Sequence, residues 1–289
     1  MAPISMLTLG PECSYSEIAA RKYIRENSLE AEIKTLVPAN KTEGVIEELI
    51  KQYQLGNHSV KAIVPLYNTK EGRVKETMAP YRGLIKYHQI SKICDEYWME
   101  IVHCIASKSG LKNIRKVLSH PQALSQCSNY IESNKLEVVP VESTSVAAKI
   151  VSEGESKEIA AICSEEAAKL YGLDILEKDI GNKHDENSKN VTRFVVLDYK
   201  DHENPTGKDK TTITCEFKNA DKPGVLHKAT GILRRINLSM VESMPKGSMI
   251  EYVFWLDVDE HRKNMPLELE KLNKLTKWLY IHGSYPRRL

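Results

Sequence analysis

Five consecutive residues, Asn190-Val191-Thr192-Arg193-Phe194, set a hydroxyl beside a guanidinium at the start of an apolar run. That run, Phe194-Val195-Val196-Leu197, predicts a buried strand behind a polar loop. The start of a strand suits groups that must face a ligand while their backbone stays rigid. An arginine can grip a carboxylate with two parallel hydrogen bonds. A threonine can donate one hydrogen bond to an oxygen of the same molecule. Alone, Thr192-Arg193-Phe194 reads more readily as the end of an exposed loop, and the segments around it reverse that reading.

Other apolar runs also lead into polar segments. Ala62-Ile63-Val64-Pro65-Leu66 runs into Tyr67-Asn68-Thr69-Lys70-Glu71-Gly72, and Lys116-Val117-Leu118 into Ser119-His120-Pro121-Gln122. Val138-Val139-Pro140-Val141 runs into Ser143-Thr144-Ser145, and Ile159-Ala160-Ala161-Ile162 into Ser164-Glu165-Glu166. Asn68 and Gln122 offer neutral amides that hold a carboxylate or hydroxyl without adding charge, or that cap a loop. His120 either carries a proton or is structural, and Glu71 either orients Asn68 or caps the helix after it. Ser16, Ser143 and Thr144 are helix caps or ligand contacts. His184-Asp185-Glu186 has weak metal-site character without a recognised ligand spacing, so no metal is expected.

Helical patterns follow the polar segments. A helix capped by Ser14 or Ser16 turns Ile18, Ala19, Tyr23 and Ile24 inward, and one capped by Thr42 buries Ile46, Leu49, Ile50 and Tyr53. Others run from Gln122 through Ile131 and from Val146 through Val151. The repeated order of strand, polar loop and helix predicts α/β architecture with largely parallel sheets. Loops at the carboxyl ends of such strands gather on one edge, where ligands bind. Helix N-termini behind them favour an anion.

Residues 199–210 are polar and read as a linker after a unit ending at Asp198. The stretch 211–289 then reads as a smaller βαββαβ, ferredoxin-like unit, with a helix opening at Pro223-Gly224-Val225-Leu226.

The 289 residues suffice for two or three compact units, and 41% hydrophobic residues suffice for their cores. A formal net charge of +2 gives no basic stripe of the kind that nucleic acid requires. No apolar run reaches the length of a membrane span, and the N-terminus lacks a signal-peptide pattern. The six cysteines are scattered without redox or metal spacing, which predicts a reducing, cytoplasmic setting without disulfides.

Together these motifs resemble the prephenate dehydratase family, a catalytic domain followed by a C-terminal ACT domain, over nearly the whole chain. Gly10-Pro11-Glu12 with Ser16, Asn68 with Glu71-Gly72, Ser119-His120-Pro121-Gln122-Ala123-Leu124, Ser143-Thr144 and Thr192-Arg193-Phe194 resemble its cleft segments in order. Pro223-Gly224-Val225-Leu226-His227 resembles its phenylalanine-binding turn, and Gly283-Ser284-Tyr285-Pro286 its C-terminal signature. The resemblance implies a two-lobed, periplasmic-binding-protein-like catalytic domain over 1–198, a linker over 199–210 and an ACT regulatory domain over 211–289. It implies Thr192, Asn68 and Gln122 as catalytic residues. It implies prephenate contacts from Arg193, Phe194, Ser16, Thr69, Ser119, His120, Ser143 and Thr144. Gly224, Val225, Leu226, Glu242 and Ser243 would form an allosteric phenylalanine site in a homo-oligomer, a dimer or tetramer. No cofactor, nucleic acid or membrane is expected.

The chain departs from the family at three places. Tyr67 stands where Glu usually precedes the loop Asn, Cys13-Ser14 replaces a Gly-Thr pair, and Met244 replaces an Arg in Glu242-Ser243-Met244-Pro245. The change at Tyr67 opens a second reading, a prephenate decarboxylase that retains the ring hydroxyl, and a third is a non-catalytic protein that pairs a two-lobed ligand cleft with an ACT sensor. The change at Met244 predicts a weakened response to phenylalanine.

Overall fold

The computed structural model describes residues 4–36, 42–78, 91–183, 189–219, 222–246 and 251–288. Two sheets carry the first two-thirds of the chain. The first contains β1 (Ile4–Leu9), β2 (Ala31–Leu36), β3 (Val60–Asn68), β5 (Lys92–Glu100) and β11 (Val191–Asp198), in the order β2-β1-β3-β11-β5, with β4 (Gly72–Arg73) paired to β3. The second contains β6 (Cys104–Ser107), β7 (Lys116–Ser119), β8 (Glu137–Pro140), β9 (Ile159–Cys163) and β10 (Asp174–Glu177), in the order β10-β6-β9-β7-β8. The chain thus leaves the first sheet after β5 and returns to it as β11. This is the mixed α/β arrangement that the resemblance implied, built on two sheets.

Strand alternation explains the uniformly apolar runs. In the second sheet Cys104, Ala106, Leu118, Ala161 and Cys163 face one buried cluster, while Ile105, Val117, Ala160 and Ile162 face another. Both faces are covered, so no position in these strands can be polar without a partner. Ala147, Ala148, Ala167 and Ala168 line the first cluster and give two helices a close approach. The pairing is less parallel than expected: β7 runs parallel to β8 and β9, but β6 is antiparallel to both β9 and β10.

The helices are α1 (Tyr15–Glu26), α2 (Thr42–Gln54), α3 (Lys75–Met78), α4 (Pro121–Gln126), α5 (Ser128–Ser133), α6 (Thr144–Glu153) and α7 (Glu165–Leu170). Ser14, not Ser16, caps α1, accepting the Glu17 N–H at 3.3 Å. Thr42 is the first helical residue of α2. The single helix expected through Ile131 is broken at Cys127. Asn182 fills the break. Its Oδ1 accepts the Asn129 N–H, and its Nδ2 donates to Ser125 O and Ser128 Oγ.

By compactness, Met1–Val45, Ile63–Arg73 and Trp98–Phe194 form one unit, and Ile46–Ala62, Val74–Tyr97 and Val195–Leu289 another. The second unit contains β12 (Asp209–Phe217), α8 (Val225–Ile232), β13 (Leu238–Pro245), β14 (Tyr252–Val258), α9 (Pro266–Leu275) and β15 (Thr276–Pro286). Its sheet order, β13-β14-β12-β15, is that of a ferredoxin-like βαββαβ unit, and its first strand begins two residues before the expected boundary. Ile213, Cys215 and Phe217 face the helices. The opposite face of β12 is also buried, where Thr212 bonds Asp257 and Tyr285, and Thr214 bonds His282. Gly283 lies so near that an added Cβ would sit 2.0 Å from the Ile93 carbonyl oxygen.

Candidate active site

The site starts from a hairpin. Asn68 ends β3, and Gly72 opens β4 with φ at +80°, a conformation that a glycine takes without strain. Between them the Asn68 side chain closes the turn: its Oδ1 accepts the N–H groups of Lys70 at 2.9 Å and Glu71 at 3.0 Å. This Asx-type turn uses up both lone pairs of the amide oxygen. The Nδ2 group is also fully used, donating to Asn190 Oδ1 at 2.8 Å and to Thr192 Oγ1 at 2.9 Å. Asn68 therefore holds other site residues and has no hydrogen-bonding capacity left for a ligand.

The two passages between the sheets supply the rest. Ile101 N donates to Asn190 O at 2.7 Å, tying one passage to the other. From them His103 and Asn190 meet Gln126, the last residue of α4. Asn190 Nδ2 lies 2.9 Å from Gln126 Oε1, and His103 Nε2 lies 2.9 Å from the same atom. Gln126 Nε2 donates to Glu71 Oε1 at 3.0 Å. Beyond His103, the Tyr15 hydroxyl lies 2.9 Å from Nδ1 and 2.7 Å from Val102 O. Asn68, His103, Gln126, Asn190 and Thr192 are all buried. Burial also lowers the His103 pKa, favouring the neutral ring.

Thr192 Oγ1 accepts from Asn68, and among the described residues it has no protein acceptor for its own proton. Gln126 Nε2 and Asn190 Nδ2 each retain a second hydrogen with no protein acceptor among them. The cluster therefore offers hydrogen-bond donors, the complement of an oxygen-rich anion or a departing oxygen.

The expected residues fall into two groups. Thr192 and Asn68 lie in this network. Gln122 is exposed, its backbone N–H bonded to the His120 ring at 3.3 Å; Gln126, one helical turn later, holds the network place. Arg193 is 2% exposed, with its guanidinium 5.7 Å from the centre of the Trp98 ring. Successive strand residues face opposite sides, so Thr192 and Arg193 do not present their side chains together. Phe194 is core.

The Thr69 hydroxyl is tied to backbone, donating to Lys189 O and accepting Val191 N–H. Ser119 donates to Ile162 O at 2.6 Å, His120 and Ser143 cap helices, and Thr144 begins α6. Ser16 is half-buried in the first turn of α1. In the second unit, Gly224 has φ at +86° before α8 (Val225–Ile232), while Glu242 and Ser243 lie on β13 and Met244 is buried. The loop His184-Asp185-Glu186 lies outside the described residues.

Sequence reading missed Gln126, His103 and Tyr15, and gave Asn190 no role. The four-residue spacing of Gln122 and Gln126 was the available signal, since it places both on neighbouring turns of a helix. His103 stands in an apolar run, where nothing local separates a network residue from a core one.

A buried cluster of hydrogen-bond donors, where the chain passes between two sheets of an α/β fold, is suited to holding a small oxygen-rich ligand. Residues 6–202 match the family model described as "Prephenate dehydratase", and the chain belongs to that family. A prephenate dehydratase of Methanocaldococcus jannaschii is 32% identical over 280 residues, covering 96% of each chain. A prephenate dehydratase from Arthrobacter aurescens, solved in complex with L-Phe, superposes with a TM-score of 0.79 at 25% identity, covering 98% of this chain and 90% of that one. A protein described as a novel type of quorum-quenching acylase superposes with a TM-score of 0.76 at 26% identity, covering 98% and 97%. The fold alone therefore does not fix the chemistry.

Proposed function

We propose that the chain dehydrates and decarboxylates prephenate to phenylpyruvate, as a step in making phenylalanine. The observation that carries this reading is the Thr192 hydroxyl, which accepts from Asn68 and keeps its own proton for a ligand. Cleavage of the ring carboxylate sends its electron pair into the ring. The ring hydroxyl departs with its own bonding pair and takes up a proton as water, leaving an aromatic product. Thr192 donates a hydrogen bond to that departing oxygen, since an alkyl hydroxyl is too weak an acid to give up its proton outright at neutral pH. Gln126 and Asn190 supply further donors, and Asn68 positions Thr192.

The loss of an acidic residue at Tyr67 gives little support to the decarboxylase reading. Tyr67 and Asn68 are successive residues of β3, so Tyr67 faces away from the network, and a carboxylate remains in it as Glu71. Mass spectrometry of the product from purified protein and prephenate separates the readings. Phenylpyruvate is expected. A product heavier by one water means the decarboxylase, and no turnover means a binding protein or another chemistry.

Residues 211–289 we read as an ACT domain that senses phenylalanine at the Gly224-Val225-Leu226 turn in a homo-oligomer. All six cysteines are buried free thiols, which fits a reducing, cytoplasmic setting. Among the described residues no helix is long and apolar enough to cross a membrane.

A further inference from the structure

Amide oxygens and nitrogens are hard to tell apart by shape, and so are the two tautomers of a histidine ring. Here one end of the network is fixed by groups that have no choice. The backbone N–H groups of Lys70 and Glu71 can only donate, so the Asn68 atom they face must be Oδ1. Its Nδ2 then faces Asn190 and Thr192. The Asn190 atom at 2.8 Å must accept and is Oδ1, which turns Asn190 Nδ2 toward Gln126. The Gln126 atom at 2.9 Å must accept in turn and is Oε1. Gln126 Nε2 is then directed at Glu71 Oε1, where a donor is required. Gln126 Oε1 also faces His103 Nε2 at 2.9 Å, so that ring nitrogen must carry a proton. Every link has one polarity, set by the hairpin backbone.

We propose that His103 is a positioning residue for Gln126: its Nε2–H holds Gln126 Oε1, so that Gln126 Nε2 keeps its bond to Glu71 and leaves its second hydrogen for a ligand. His103 itself need not touch the ligand. It is buried, and its backbone carbonyl is fixed by the N–H of Ile180 at 3.1 Å. At the other ring nitrogen the Tyr15 hydroxyl has one proton for two acceptors, Val102 O at 2.7 Å and Nδ1 at 2.9 Å, so the polarity at His103 is set from the Gln126 side and not by Tyr15. Flipping the Gln126 amide would set its NH2 against two donors, from Asn190 and His103, and break the bond to Glu71. Losing His103 leaves Asn190 as the sole donor to Gln126 Oε1 among the described residues, and the amide loses its second anchor. A donor displaced in this way costs transition-state stabilisation more than ground-state binding.

The kinetic part of this inference rests on the prephenate reading, while the tautomer does not. The full chain, labelled with nitrogen-15 histidine, would be observed by NMR at pH 8, where a histidine of ordinary pKa is neutral. His103, assigned by its loss in His103→Gln, is expected with Nε2 protonated and Nδ1 bare. A protonated Nδ1 with a bare Nε2 would overturn the proposal whatever the substrate. In turnover of prephenate, His103→Leu should lower kcat by about tenfold to a hundredfold with KM changed by less than about threefold. His103→Gln should recover most of kcat, since its amide NH2 can stand where the ring Nε2–H stood. Wild-type kcat in His103→Leu, or equal losses in both variants with unchanged melting temperatures, would overturn it. Should both variants unfold, the wild-type tautomer decides. Should the wild type leave prephenate unchanged, the proposed function fails, and the tautomer still tests the network.

Discussion

Asn68 and Thr192, 124 residues apart in sequence, share a hydrogen bond in which Asn68 Nδ2 donates to Thr192 Oγ1 at 2.9 Å. The direction of that bond matters more than its length. Because Asn68 donates, the threonine proton is left to point elsewhere. Thr192 lies within β11, and among the described residues no protein acceptor takes its hydroxyl proton. The hairpin backbone, acting through Asn68, thus decides what Thr192 can do.

Removal of the hydroxyl should therefore stop the chemistry without emptying the site. Thr192→Ala is expected to lower kcat with prephenate by about a hundredfold or more, with a much smaller rise in KM. Thr192→Ser keeps an O–H that can accept from Asn68, so it should retain most of the activity. Steady-state kinetics on both variants check this, and near-normal turnover by a folded Thr192→Ala would remove Thr192 from the mechanism.

Asn68→Asp is a sharper test of bond direction. An ionised carboxylate can still accept the N–H groups of Lys70 and Glu71, so the hairpin should survive. It cannot donate to Thr192 or Asn190, and it would instead accept the threonine proton. Turnover should fall about as far as in Thr192→Ala, with the fold intact by circular dichroism. If Asn68→Asp kept wild-type kcat at pH 8, the inferred polarity of this bond would be wrong.

Much of this was legible in the sequence, and the gaps have physical causes. The strand–loop–helix repeat gave the α/β architecture, because strands buried on both faces must be continuously apolar. Thr192 and Asn68 stood out because each interrupts such a run at its end. Gln126 was passed over for Gln122 because a helix brings one turn of side chains inward, and the turn is set by a break at Cys127 that no local propensity marks. Arg193 drew attention as the neighbour of Thr192, yet adjacency along a strand places two side chains on opposite faces. His103 and Asn190 act through partners distant in sequence, and a single chain without its fold gives no sign of those pairings.

Regulation can be tested apart from catalysis. β13 carries exposed Val241, and Leu226 at the start of α8 is exposed as well. Exposed apolar side chains suit burial against a second copy. Light scattering should therefore show a dimer or tetramer. Met244, in place of the arginine common in the family, is buried and brings no cation to a ligand. Calorimetry should accordingly give phenylalanine binding weaker than micromolar. A monomer in the first experiment, or micromolar or tighter binding in the second, would reject the respective half of this reading.

The stability of the second unit should depend on acid through Glu216. This carboxylate on β12 is buried and accepts from Lys246 Nζ at 2.7 Å, Lys277 Nζ at 2.6 Å and Trp278 Nε1 at 2.9 Å. Burial alone would raise its pKa, but those three donors outweigh burial and pull it from the ordinary 4.5 to about 2. A folded-state value below the unfolded one means that the carboxylate stabilises the fold above pH 4.5, and that this contribution is lost as pH falls toward 2. Both lysines are partly exposed, so solvent screens much of the effect. Glu216→Gln should cost roughly 1 kcal/mol at pH 7. The difference from wild type should then shrink steadily in urea titrations between pH 4.5 and pH 3. A difference that stays constant over that range would show that Glu216 acts through packing, and not through its charge.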